Sequence, residues 1–74
     1  MNDYDWKEVE VLAENEDVAI AVEVCSPRGV PPRYRWKLRS PDREVEYRSG
    51  EPTLHYQEAI EGGRREGEWV GLLQ

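Results

Sequence analysis

The sequence predicts an α+β domain: an antiparallel β-meander of about four strands, arranged as two hairpins, with one short α-helix packed on one face. Three patterns predict it. Arg33 to Arg48 alternates apolar and charged side chains on both sides of a Ser-Pro-Asp-Arg turn. Val18, Ile20, Val22 and Val24 form a β-branched row with the same period of two. After Arg48 the apolar period changes to that of a helix.

Residues 1–5 read as a frayed acidic end of one small domain spanning residues 1–74. Trp6 to Cys25 reads as the first hairpin. Its second strand is the β-branched row. Its first, Trp6 to Ala13, alternates at Glu8-Val9-Glu10-Val11, although its Glu, Leu and Ala also suit a short helix. A strand is the reading adopted. A loop at Glu14-Asn15-Glu16-Asp17 then sets Val9 against Val22 and Val11 against Ile20, at the cost of a mildly repulsive Glu8 opposite Glu23. Ser26 to Pro32 holds three prolines in seven residues, which excludes a central strand and predicts a surface connector.

In the second hairpin Tyr34, Trp36 and Leu38 alternate with Arg33, Arg35, Lys37 and Arg39, and Val45 and Tyr47 with Glu44, Glu46 and Arg48. A two-residue loop (Pro41-Asp42) and a four-residue loop (Ser40 to Arg43) give the same register. Arg39 faces Glu44, Lys37 faces Glu46, Leu38 faces Val45 and Trp36 faces Tyr47. Each such pair contributes roughly 0.2–1 kcal/mol. Beyond it, Thr53 suits an N-cap, and Tyr56, Ala59, Ile60 and Gly63 form a helical stripe that Gly62-Gly63 is expected to end after about three turns. Arg64 to Glu68 reads as a polar spacer. The apolar tail from Trp69 to Leu73 suits an edge strand, a cover for the open sheet face, or a docking peptide.

The order strand, Tyr34-Arg35-Trp36-Lys37-Leu38-Arg39, short turn, Glu44-Val45, Ser49-Gly50-Glu51, then a helix with Ala59-Ile60, resembles the small YegP-type domain of unknown function over about residues 33–61. Pro41-Asp42 stands where that family has an Asn-Gly turn. The resemblance implies a strand-strand-strand-helix unit and no settled activity.

At 74 residues, such a domain buries about 60% of the surface its unfolded chain exposes. Three Trp and four Tyr, with no Phe, must supply much of that area. No apolar run approaches the ~18 residues of a membrane span, the acidic start lacks the apolar core of a secretory signal, and a single cysteine permits no internal disulfide. Cytoplasmic residence is the expectation. The net charge of −6 is segregated: residues 1–24 carry eight acids and one lysine, residues 25–48 seven basic residues and three acids. Acidic and basic strands neutralising each other in one sheet is the simplest account.

Catalysis has little to build on. Cys25 and His55 are the only thiol and the only imidazole, and they read as a packed small residue and a helix-start residue rather than a nucleophile pair. Two soft ligands are too few for a zinc site. The acidic clusters lack calcium-loop spacing, and no phosphate-binding glycine motif occurs. No enzyme activity and no cofactor are expected. Two binding readings remain. In the first, the acidic stretch of residues 3–17, which includes Glu14, Glu16 and Asp17, binds a protein partner with a basic surface, with Asp3, Tyr4, Asp5, Trp6, Glu8 and Glu10 as its contacts, as small acidic phage-encoded inhibitors do to nucleic-acid-handling enzymes. In the second, Arg28, Arg33, Arg35, Arg43 and Arg48 bind nucleic-acid phosphates along residues 33–48, against the handicap that Tyr34 and Trp36 lie on the face opposite the arginines. Open sheet edges and the apolar tail also admit a homodimer.

Overall fold

The computed structural model describes residues 5–73. Four strands, β1 (Lys7–Glu14), β2 (Ala19–Cys25), β3 (Arg33–Arg39) and β4 (Glu46–Ser49), are followed by one helix, α1 (Tyr56–Trp69). They form a single antiparallel sheet in the order β1-β2-β3-β4. The helix packs on one face, mainly over β3 and β2. The α+β meander expected from the sequence is the fold.

The core lies under the helix along the two central strands. Ile20 and Val22 of β2 are fully buried, and the β2–β3 register sets them opposite Leu38 and Trp36, with Val24 opposite Tyr34. Ala59 and Ile60 of α1 close over them, and the ring of Tyr56 meets that of Tyr34 edge-on at 5.3 Å. The aromatic and aliphatic ladder of β3 therefore faces β2.

On its other side β3 departs from the expected register. Lys37 lies opposite Ser49, Leu38 opposite Arg48, and Arg39 opposite Glu46. The pairs Trp36–Tyr47, Leu38–Val45, Lys37–Glu46 and Arg39–Glu44 do not form. The first cause is the turn. Ser40 donates its N–H to Val45 O and its hydroxyl to Asp42 Oδ1, Asp42 also accepts from Glu44 N–H, and Val45 N–H donates to Ser40 Oγ. These bonds, with Arg43 at φ 69°, hold a six-residue loop open between Arg39 and Glu46. The second cause is a bulge at Tyr47, which the ladder skips. It brings Gly50 beneath Trp36, where Gly50 N–H donates to Trp36 O at 3.0 Å and any β-carbon would overlap the indole. Val45 and Tyr47 are left exposed.

The first hairpin keeps Glu8 opposite Glu23 but not the expected valine pairs. Register shifts skip Val9 and Leu12, so Glu10 faces Val22, Val11 faces Ala21 and Ala13 faces Ile20. Leu12 turns to the core, against Gly63 of the helix, while Val9 and Val11 face water.

The helix runs through Gly62 and Gly63 to Trp69 instead of ending there. Each helical glycine costs about 1 kcal/mol relative to alanine. Here they permit close approach: a β-carbon on Gly62 would sit 2.8 Å from Trp36 Cδ1, and one on Gly63 2.6 Å from Leu12 Cδ1. Arg64 to Glu68 is thus helix. Thr53 is not the N-cap; it exchanges backbone hydrogen bonds with Tyr34, and His55 is the cap residue, without a side-chain cap bond. The apolar tail ends the helix. Leu72 and Leu73 N–H both donate to Gly67 O, Gly71 takes φ 85°, and Leu73 packs over Gly67. Trp69 projects outward, 81% exposed.

Candidate interaction surface

The face of the sheet opposite the helix carries the charge. Strand alternation sends Arg33, Arg35, Lys37 and Arg39 to that face, and the registers align them with Cys25, Glu23, Ala21 and Ala19. Glu8 joins them from β1, opposite Glu23. Arg35, Lys37 and Arg39 of this row are therefore neutralised by Glu8 and Glu23, not by Glu44 and Glu46. Glu23, only 1% exposed, accepts from Arg35 Nε at 2.6 Å and lies 3.0 Å from Lys37 Nζ. Lys37 also reaches Glu8 at 3.3 Å, so one ammonium bridges two carboxylates that would otherwise repel. Arg39 donates Nε and Nη2 to Glu8 and Nη1 to the backbone oxygens of Ser40 and Pro41. Burial alone would raise the Glu8 pKa. The hydrogen bonds and charges of Arg39 and Lys37 outweigh it and hold the carboxyl below its ordinary value. Trp6 completes the assembly, with the Arg35 guanidinium 4.1 Å from its ring centroid.

The residues singled out for protein binding divide accordingly. Asp3 and Tyr4 lie outside the described residues. Glu8 is held inside the ionic network, its side chain 12% exposed. Trp6 is half-buried against Arg35. Asp5 and Glu10 are exposed. Glu10 accepts a hydrogen bond from the Tyr56 hydroxyl, whose pKa is raised by that bond, by burial and by the carboxylate's charge. Three further acids belong with them. Glu14, Glu16 and Asp17 are exposed around the β1–β2 turn, which Asn15 fixes by accepting from Asp17 N–H at 2.7 Å and Val18 N–H at 2.9 Å. These acids belong to the stretch of residues 3–17 read from the sequence, and the hairpin sets them along the same edge as Asp5 and Glu10.

Of the arginines considered for nucleic acid, Arg35 is paired with Glu23, and Arg48, opposite Leu38, reaches across to Glu66 of the helix. Arg43 extends into solvent with Glu8 at 3.6 Å. Arg28 and Arg33 are exposed. Cys25 is a buried free thiol and His55 is exposed. Among the described residues no group of three His, Cys, Asp or Glu side chains is placed to hold a metal ion, and no helix is long and apolar enough to cross a membrane.

Sequence reasoning missed one further feature. Where β1 enters and the proline-rich connector leaves, a groove of about 390 Å³ is lined by Trp6, Cys25, Pro27, Val30, Arg33 and Pro52. The register that sets Glu8 against Glu23, continued two residues, sets Trp6 beside Cys25, and that extension was the available clue. No protein-family model, curated protein or solved structure matches the chain, so the YegP-type resemblance of residues 33–61 rests on its motif residues alone.

Proposed function

We propose that this chain is a non-enzymatic interaction protein that binds a basic surface of a protein partner through the outer edge of β1 and the β1–β2 turn. One observation carries the reading: the two charge sets have opposite fates. Arg35, Lys37 and Arg39 of β3 are tied to Glu8 and Glu23, whereas Asp5, Glu10, Glu14, Glu16 and Asp17 are exposed and have no cationic partner among the described residues. Exposed carboxylates steer encounter and fix orientation, and the exposed Val9 and Val11 between them supply apolar contact. The bulges at Val9 and Leu12 make β1 a poor template for strand addition, so the contacts fall to side chains. Basic protein surfaces are commonly those that handle nucleic acid, and an acidic protein seated on one acts as an inhibitor or modulator.

The test replaces Asp5, Glu10 and Glu14 together with lysine. Glu8 is excluded because its loss damages the fold. The wild-type chain is expected to capture a basic protein from nuclease-treated lysate, and the variant to lose it while its circular dichroism is unchanged. Equal capture by both proteins refutes the reading. The alternative, nucleic-acid binding through residues 33–48, retains Arg28, Arg33 and Arg43, and is abandoned if labelled single and double strands do not bind at about 50 mM salt.

A further inference from the structure

The proline-rich connector and Trp6 are not absorbed by the acidic edge, and together they build the groove of about 390 Å³. That volume lies in the range of small-ligand sites, about 300–1,000 Å³. Its lining has the composition of one: a flat indole, two prolines, a valine, a buried cysteine and one arginine. Val30 is 53% exposed, in a loop where nothing in the fold requires an apolar side chain. Pro27, Pro31 and Pro32 restrict that loop, and a turn from Val30 N–H to Pro27 O closes it. The wall is set before any ligand arrives, which lowers the ordering cost of binding. Trp6 is set too, by the Arg35 guanidinium against its ring.

The charge at the groove selects the occupant. In a chain of net charge −6, this groove has a cationic margin: Arg33 lines it, Arg28 stands in the loop between two of its lining residues, and Arg35 backs Trp6. Arg35 is committed to Glu23, while Arg33 has no carboxylate partner among the described residues. An arginine fork offers paired donors to a carboxylate or phosphate, and indole and proline faces favour a flat ring. We infer that the groove is a binding site for a small planar aromatic anion, its ring held by Trp6, Pro27 and Pro52 and its oxyanion by Arg33. This supplies what the sequence lacked for the arginine face: an aromatic on the same side.

The experiment is a titration of the full chain, followed by 1H–15N correlation spectra, with 2-naphthoate and separately with adenosine 5′-monophosphate. The uncharged 2-naphthamide and adenosine are the controls. Saturable shifts are expected at the Trp6 indole N–H and at the Cys25 and Val30 amides, and whichever anion binds more tightly identifies carboxylate or phosphate as the recognised group. Losing a charged hydrogen-bond partner should weaken binding by about tenfold or more, both for the uncharged controls and in Arg33→Gln. Val30→Asp, on the exposed loop, should abolish binding and leave the amides of the central strands unmoved. The inference is overturned if neither anion shifts these resonances up to its solubility limit, if the uncharged analogues bind equally well, or if Arg33→Gln leaves the affinity unchanged.

Discussion

Replacing Glu23 with glutamine puts the ionic face to its most direct test. The carboxylate is 1% exposed and holds two cations, Arg35 at 2.6 Å and Lys37 at 3.0 Å, whose own side chains are 21% and 18% exposed. Removing one partner of a buried pair costs about 3–5 kcal/mol, because the remaining charge stays desolvated without compensation. Lys37 keeps Glu8 at 3.3 Å, and Arg35 keeps its contact with Trp6, so the lower end, about 3 kcal/mol, is expected. A chain of 74 residues has a total stability of roughly 4–11 kcal/mol. The loss is therefore a large share of the whole, and it lowers Tm by about 12 °C or more at 4–8 °C per kcal/mol. Urea unfolding followed by far-ultraviolet circular dichroism measures it, with the slope checked for two-state behaviour. The controls are Glu44→Gln and Glu46→Gln, the carboxylates that a tight hairpin would have assigned to β3. Both residues are exposed, and each change should stay within about 0.5 kcal/mol. A Glu23→Gln loss below about 1 kcal/mol, or a control loss as large as that of Glu23→Gln, refutes the network as the element that ties the three strands.

Glu8 predicts an acid limb. Its folded pKa lies below the unfolded value, so its stabilisation is present above the ordinary carboxyl value of 4.5 and is lost as pH falls through the lower folded value. Wild-type stability should drop below about pH 4.5, and Glu8→Gln should be less stable at neutral pH with a shallower acid limb; identical limbs refute it. Gly63→Val forces a side chain into Leu12 and Trp36 and should cost about 1–3 kcal/mol or more in urea melts; an unchanged midpoint shows that the helix does not sit so close. The tryptophans should separate cleanly: Trp36→Ala should lose about 3 kcal/mol or more. Trp69→Ala, at a site 81% exposed, should change stability by less than about 0.5 kcal/mol. Equal effects of the two refute the assignment of Trp36 to the core.

How far the fold was legible follows from what a period of two can and cannot say. It says which side chains of one strand share a face, so Tyr34, Trp36 and Leu38 on one side and Arg33, Arg35, Lys37 and Arg39 on the other were readable, as were Ile20 and Val22. It does not say which strand pairs with which residue of the next. Widening the turn to six residues moves the Arg39 partner from Glu44 to Glu46, a shift of two that preserves every face. The single extra residue at Tyr47 then reverses the rest of β4, sending Arg48 to the helix side and Tyr47 to water. Sequence alternation was blind to that bulge because its cause is three-dimensional: Trp36 requires Gly50, not Ser49, beneath its indole. The glycines at 62 and 63 were read as a stop for the same reason. Their local preference is to end a helix, and only the proximity of Trp36 and Leu12 shows why they remain inside one.

Which of the acids stay free, and the groove, were illegible for a related cause. Charge counts assign the acids to the first third and the cations to the second, but pairing decides which charges remain available. Glu8 and Glu10 look equivalent in Lys7-Glu8-Val9-Glu10. The bulge at Val9 puts them on opposite faces, Glu8 among Lys37 and Arg39, Glu10 beside Tyr56. One skipped residue thus separates a carboxylate that holds the sheet together from one that stays exposed at its edge. The same register carries Trp6 over to the arginines, so an aromatic that composition grouped with the acids belongs, in the folded chain, to the cationic groove.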